Sequence, residues 1–354
     1  MASHDEATWD LLMRQALSAG LLARLGALAQ AVGVEPALPL PVRRQMRALL
    51  ALSAEQQRAV RWELVLLTRD LAALPGPVLL LKGAAYVACD LPPAAGRLFS
   101  DIDILVAREQ LDEAEAALML GGWASAAGTA YDERYYRQWM HELPPMVHLR
   151  RQTNLDLHHN ILPLTARIKT HSAPLLAAAQ VVAEFPRFSV PAPTDQVLHS
   201  ATHLMHEGEW GHGLRDLVDL DSLLRRHAAS PGFWDALLTR AAALSLGRPL
   251  FYGLNLCRRY LHTPVPDEVL RRCPDRPGLL LQALMHTLLR RALTGAHRGS
   301  TAPGTRIAEF ALYVRSHYLR MPLHLLLPHL IVKAFKRPPA PASQREDAGV
   351  VEQR

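Results

Sequence analysis

Two aspartates, Asp101 and Asp103, stand two residues apart in the run Arg97-Leu-Phe-Ser-Asp-Ile-Asp-Ile-Leu-Val. On a β-strand, residues at this spacing point to one face while Ile102 and Ile104 turn to the other. Their carboxylates would lie about 7 Å apart along the strand and repel each other unless a cation sits between them. Hard oxygen donors of this kind suit Mg²⁺ or Mn²⁺. Such ions bridge phosphates and stabilise an in-line displacement. An isolated Asp-x-Asp is most often a solvated strand end. Here apolar strand residues flank the pair, a costly place for unpartnered charge, and Ser100 directly precedes it.

A second set of residues lies about twenty positions upstream. Val78-Leu79-Leu80-Leu81 is a short apolar run that reads as a buried strand, and Lys82-Gly83 follows it into the small-residue helix start Ala84-Ala85. Glycine permits the turn and the close approach of a ligand. Amide N–H groups at a helix start can hold a phosphate, and Lys82 would add a point charge. A strand-end lysine beside a turn glycine is an equally ordinary reading of the dipeptide alone. Downstream, Asn154-Leu-Asp-Leu-His-His alternates so that Leu155 and Leu157 face a core while Asp156 and His158 face the other way. A third carboxylate on a neighbouring strand would complete a two-metal site. His158 reads as a substrate contact or a polar surface residue, with support of a ligand as a further option.

In this order (Lys82-Gly83, then Arg97-x-x-Ser100-Asp101-x-Asp103-x-x-Val106, then Leu155-Asp156-Leu157-His158) the chain resembles the polymerase-beta-like nucleotidyltransferase superfamily. Its nearest resemblance is to the bacterial "uncharacterised nucleotidyltransferase" family, which has Lys-Gly where most of the superfamily has Gly-Ser. The resemblance is strong over residues 78–165 and looser to about residue 225. It implies that Asp101, Asp103 and Asp156 hold the metals, with Asp156 near the attacking hydroxyl. It also implies that Lys82, Gly83 and Arg97 contact a triphosphate and that Ser100 orients the loop. The implied cofactor is Mg²⁺ or Mn²⁺, and the implied substrate is a nucleoside triphosphate (NTP). The implied reaction moves a nucleoside monophosphate onto an acceptor, which is a small molecule, a sugar, a protein or an RNA end. The alternatives are a non-catalytic nucleotide-binding or scaffold protein of a biosynthetic cluster, favoured by the missing Gly-Ser, and a toxin modifying tRNA or protein.

Other groupings are weaker. His199, His203 and His206 fall at helical spacing beside Glu207, without a His-Glu-x-x-His arrangement. They read as a helix face packed toward the nucleotide site, with a zinc stripe as the lesser alternative. Arg215, Asp216 and Asp219 would pair within a helix or line a cleft. Tyr313 to Lys336 is a basic amphipathic stretch that would either rest on a membrane surface or pack as a terminal helix. No basic stretch with interleaved aromatics supports nucleic-acid binding.

The elements that must position these residues follow from pattern. Helices are expected over 6–33 and, capped by Ser53, over 54–74, with Leu64, Leu67 and Leu71 buried. Strands are expected over 78–81, 98–106, 146–150 and 154–158, and helices over 84 onward and 108–120. From Thr194 the pattern is almost wholly helical. The expected class is therefore α+β: an N-terminal helical segment (1–74), a small mixed-sheet core (75–165), a helical C-terminal domain (166–336) and a disordered tail (337–354). Among 354 residues with net charge +6, the 17 histidines and scattered arginines suit a polyanionic ligand. Three widely spaced cysteines, Cys89, Cys257 and Cys273, predict a reducing, cytoplasmic setting without structural zinc. No apolar run reaches the length of a transmembrane helix, and no signal peptide is evident.

Overall fold

A computed structural model of the chain describes residues 5–326, apart from 127, 128, 207, 296, 298 and 300, together with residue 328. The expected tail, Glu207 and most of 327–336 therefore lie outside the described residues. The chain opens with α1 (Glu6–Ser18) and α2 (Leu22–Ala31), which turn by 112° where the sequence pattern suggests one helix. The turn falls at Gly20, whose φ of 69° is a left-handed value that glycine adopts at little cost. Next comes α3 (Leu40–Asp70), which runs straight through Ser53. Ser53 is thus not an N-cap. Its side chain is buried and donates a 2.7 Å hydrogen bond to the carbonyl of Arg97. Pro39 and Pro41 set the start of this helix instead, since proline suits the first helical turn.

The sheet region follows as β1 (Val78–Leu80), α4 (Lys82–Ala88), β2 (Ile102–Leu105), α5 (Leu111–Leu120), β3 (Trp123–Ser125), α6 (Ala130–Trp139), β4 (Met146–His148) and β5 (Asn154–His158). Then come α7 (Ala173–Ala177), β6 (Gln180–Val181) and β7 (Phe188–Val190). The seven strands form one mixed sheet in the order β3-β4-β5-β2-β1-β7-β6. Its last two strands come from residues that the sequence pattern assigns to the helical part. The remainder is helical: α8 (Pro193–His206), α9 (Gly213–His227), α10 (Phe233–Ala243), α11 (Gly247–Leu261), α12 (Asp267–Arg272), α13 (Leu279–Leu293) and α14 (Thr305–Arg320). The protein is thus α+β, a mixed sheet with helices before and after it.

Two apolar cores hold this arrangement. Met13, Leu22, Leu38, Val42 and Met46 form a small one among the N-terminal helices. Leu64, Leu67 and Leu71, on the expected face of α3, join a large one shared by the sheet and the C-terminal helices. In that core lie Ile102, Ile104, Leu155 and Leu157, each essentially inaccessible to water. Burying one sheet face in this way is worth about 1.5–3 kcal/mol per large side chain. It also fixes the register, because a one-residue slip would turn Asp103 into the core. Among the described residues no single helix is long and apolar enough to cross a membrane. The helix α14 packs against α13 and α8 and buries Ala308 and Leu312.

Candidate active site

Strand pairing brings two of the sequence-predicted aspartates side by side. β2 and β5 run parallel, with Asp103 opposite Asp156 and Leu105 opposite His158. Asp103, Asp156 and His158 therefore share the face opposite the isoleucine and leucine core. The strand itself begins at Ile102, so Asp101 occupies the last loop position and not the strand position expected for it. Ser100 holds Asp101 there by donating from its hydroxyl to Oδ1 at 3.0 Å. The side-chain amide of Asn154 ties the same loop to β5 through the Ser100 carbonyl at 3.2 Å.

Lys82 arrives from β1. The amide of Leu81 donates to the carbonyl of Asp103 at 2.9 Å, which places the next residue beside that aspartate. Lys82 opens α4 with φ 41°, a left-handed conformation that a side chain adopts only when its surroundings impose it. Its Nζ donates to Asp103 Oδ1 at 2.9 Å. Next to it, a Cβ on Gly83 would stand 2.7 Å from Cδ1 of Phe99. The backbone N–H of Phe99 donates to Gln56 Oε1 at 2.9 Å, so a ring pushed aside must move against a held backbone. Gly83→Ala should accordingly lower stability by about 1–3 kcal/mol and displace the loop carrying Asp101. Chemical denaturation measures this, and a loss below about 0.5 kcal/mol would mean that the close approach is not constraining.

His158 is 2% exposed, not a surface residue, and its Nε2 bonds Asp103 Oδ1 at 2.9 Å. Sequence spacing misses two further members, His141 and Glu142. The segment around them runs beside the end of β5: Glu142 bridges to His158, and the Leu143 amide donates to the Leu157 carbonyl at 2.9 Å. Glu142 Oε2 thereby comes to 3.2 Å from His158 Nδ1. His-Glu in a connecting loop matches no spacing rule, so nothing local could have identified it.

The charges in this cluster are strongly coupled. Burial opposes ionisation of Asp103, but Lys82 and His158 outweigh it and hold the carboxyl far below the ordinary range. Lys82 is likewise disfavoured by burial and yet held above the usual lysine range by Asp103. Burial and the Asp103 charge push Asp101 up. Asp156 is raised to about 7, first by burial and then by Asp103 and Glu142. Asp101 and Asp156, both raised, carry negative charge that Lys82 and His158 balance only at Asp103. Ligand atoms of Asp103, Asp156 and His158 lie within 4.8 Å of one another, a group that could hold a metal ion; among the described residues Asp101 belongs to no such group. Lys82 and His158 both occupy Asp103 Oδ1, so neither of these bonds engages Oδ2.

The raised Asp156 gives a test with a defined sign. Because its folded-state value exceeds the ordinary carboxyl value of 3.8, the group adds stability at low pH and loses it as pH rises through about 7. Without a cation, wild type should therefore lose stability relative to Asp156→Asn between about pH 4 and pH 7, and Mg²⁺ should restore it. Parallel pH profiles for the two proteins, with no effect of Mg²⁺, would contradict the assignment.

A cavity of about 160 Å³ is lined by Lys82, Gly83, Arg97, Ser100, Asp101 and Asp103, and closed by His203, Arg215, Asp216 and Asp219 of the helical part; Asp156 and His158 are not in its lining. Arg97 lines it, ion-paired but with its buried Nε without a hydrogen-bond partner among the described residues. Its guanidinium forms an ion pair with Asp219 and lies 5.9 Å from the Tyr86 ring. Asp219 also accepts from Arg24 of α2 at 2.8 Å, so one buried carboxylate joins three separate segments. Arg215 pairs with its neighbour Asp216 at 2.9 Å, and both border the cavity. The histidine stripe of α8 packs toward the site. Burial and then Lys82 depress His199, to about 3, and His203. Burial likewise holds His206 near 4. Among the described residues the stripe forms no metal-ligand group. A larger cavity of about 330 Å³, lined by Arg108, His159 and Lys169, contains none of the three aspartates.

A family described as uncharacterised nucleotidyltransferase matches residues 5–262. No curated protein and no solved structure matches the chain. The matched span runs from the N-terminal helices through the sheet to the end of α11 and includes every residue of the cavity.

Proposed function

We propose, because this chain belongs to the family of uncharacterised nucleotidyltransferases, that it moves a nucleoside monophosphate from an NTP to an acceptor and releases pyrophosphate. The observation that carries this reading is the in-register pairing of Asp103 with Asp156, with Asp101 and the Lys82 ammonium on the same side. Two Mg²⁺ or Mn²⁺ ions held by Asp101, Asp103 and Asp156 would offset the charge of the phosphates and of the leaving pyrophosphate. Lys82 spends one N–H on Asp103 and has two more to offer a phosphate oxygen. Gly83 would meet the phosphate chain through its backbone, Arg97 and Arg215 stand at the cavity wall beside Asp219 and Asp216, and Ser100 bonds Asp101. Asp156 would stand nearest the attacking hydroxyl, placed to orient it or accept its proton. The hydroxyl oxygen bonds to the α-phosphorus as the bond to the bridging oxygen breaks. Most of the acceleration would come from positioning and electrostatics. The acceptor is a sugar, a small metabolite, a protein side chain or an RNA end. An NTP donor would suit a cytoplasmic protein.

A second reading has one observation in its favour. Lys82 stands where most of the superfamily has Gly-Ser, and its ammonium is tied to Asp103. That arrangement would also serve a protein that binds a nucleotide without turning it over. Both readings require binding. Millimolar NTP with Mg²⁺ should raise the melting temperature, by about 2.7 kcal/mol of stabilisation at a hundredfold excess over Kd, and Lys82→Ala should remove most of the shift. No shift with any of the four NTPs would overturn both readings.

A further inference from the structure

We propose a second metal site, for a transition ion such as Zn²⁺, formed by His141, Glu142 and His158 beside the three aspartates. One potential ligand atom from each of these residues lies within 4.8 Å of the others. His158 Nε2 bonds Asp103 Oδ1 at 2.9 Å, so its Nδ1 points away from that bond. This Nδ1 is buried, accepts no hydrogen bond, and faces Glu142 Oε2 at 3.2 Å. A positive charge between this nitrogen and the carboxylate oxygen, either a proton on Nδ1 or a metal ion held by both, makes the contact favourable. Metal–nitrogen and metal–oxygen bonds of about 2.0–2.2 Å at tetrahedral angles place two ligand atoms about 3.3 Å apart, close to the spacing found here.

The other half of the site is equally unspent. His141 Nδ1 is also buried without a hydrogen-bond partner, and His141 Nε2 lies 3.7 Å from the same Glu142 oxygen. The two imidazoles stand 5.4 Å apart between ring centroids and are tilted by 39°. The backbone holds them there, since the amides of His159 and Asn160 both donate to the His141 carbonyl, at 2.9 and 3.2 Å. Two imidazoles and one carboxylate are a donor set for Zn²⁺, Co²⁺ or Mn²⁺, whereas Mg²⁺ prefers oxygen alone. The Asp103–His158 bond then plays the part that a carboxylate plays behind many metal-bound histidines: it fixes the tautomer and orients the ring. The ion would stand next to the aspartate cluster and link it to the loop before β4.

Co²⁺ is the probe, because nitrogen ligation gives it visible ligand-field bands. The full chain is loaded with Co²⁺ in millimolar Mg²⁺, which competes for the all-oxygen site, and then passed through gel filtration. The expected result is one retained Co²⁺ per chain with visible bands, unchanged in Asp101→Asn and weakened at least about tenfold in affinity in His141→Asn and in Glu142→Gln. Thermal melts of all four proteins verify that each is folded. No retained Co²⁺, or retention that Asp101→Asn abolishes while His141→Asn and Glu142→Gln keep it, would overturn the proposal.

Discussion

Asp103→Asn will remove both transfer activity and about 3–5 kcal/mol of stability, whereas Asp101→Asn will remove the activity and leave stability nearly unchanged. From the sequence alone the two positions look equivalent: each is one of a repelling pair, and loss of either carboxylate should spare the core. The structure separates them. Asp103 is 3% exposed and accepts from both Lys82 and His158. Taking away its charge strands an ammonium and an imidazole in a buried site, the costly way to break an ion pair. Asp101 is partly exposed, bonds only the neighbouring Ser100 hydroxyl, and is pushed up by burial and by Asp103. Its neutralisation relieves repulsion. Urea denaturation of the two variants checks this, and equal losses of stability would show that the Lys82–Asp103–His158 chain is not the anchor described here.

Asp219→Ala will cost about 3–5 kcal/mol of stability. Its carboxylate is 3% exposed and meets two guanidiniums, those of Arg24 and Arg97, which are 13% and 11% exposed. Removing it leaves two buried cations near Arg215 with no shared counter-charge. Three segments depend on that carboxylate: α2, the loop before β2 and α9. The cavity wall should loosen as the fold weakens, so nucleotide binding should weaken as well. Asp216→Ala is the control, since Asp216 is 3.8 Å from Arg97 and pairs mainly with Arg215 on its own helix. Equal losses for the two variants, or a loss below about 1 kcal/mol for Asp219→Ala, would contradict this account.

The parts of the site that were legible in sequence are those set by local periodicity. Alternation in Asn154–His158 gave the bounds of β5 and the face of Asp156, and the apolar run ending at Leu81 placed Lys82 at a strand end. Leu64, Leu67 and Leu71 likewise announced the buried face of α3. What stayed hidden depends on distant pairing. Nothing near Asp219 signals that Arg24, 195 positions earlier, will reach it. Nothing near His141 signals that its loop will run beside β5. Phe188–Val190 is too short to declare itself a strand, and it becomes one because β1 offers an open edge. Ser53 misled because a serine ahead of an apolar run has the look of a cap, while its hydroxyl serves a loop 44 residues away.

The central claim is metal-dependent transfer of a nucleoside monophosphate, and incubation with α-labelled NTP tests it most directly. Purified protein is given each labelled NTP in turn, with Mg²⁺ or Mn²⁺ and a cell extract as the source of acceptor, beside Asp101→Asn as the folded, charge-depleted control. The account predicts label on the protein or on an extract component, dependent on the metal and absent with Asp101→Asn. Undiminished labelling by Asp101→Asn, or NTP binding with no label transferred from any of the four nucleotides, would contradict it.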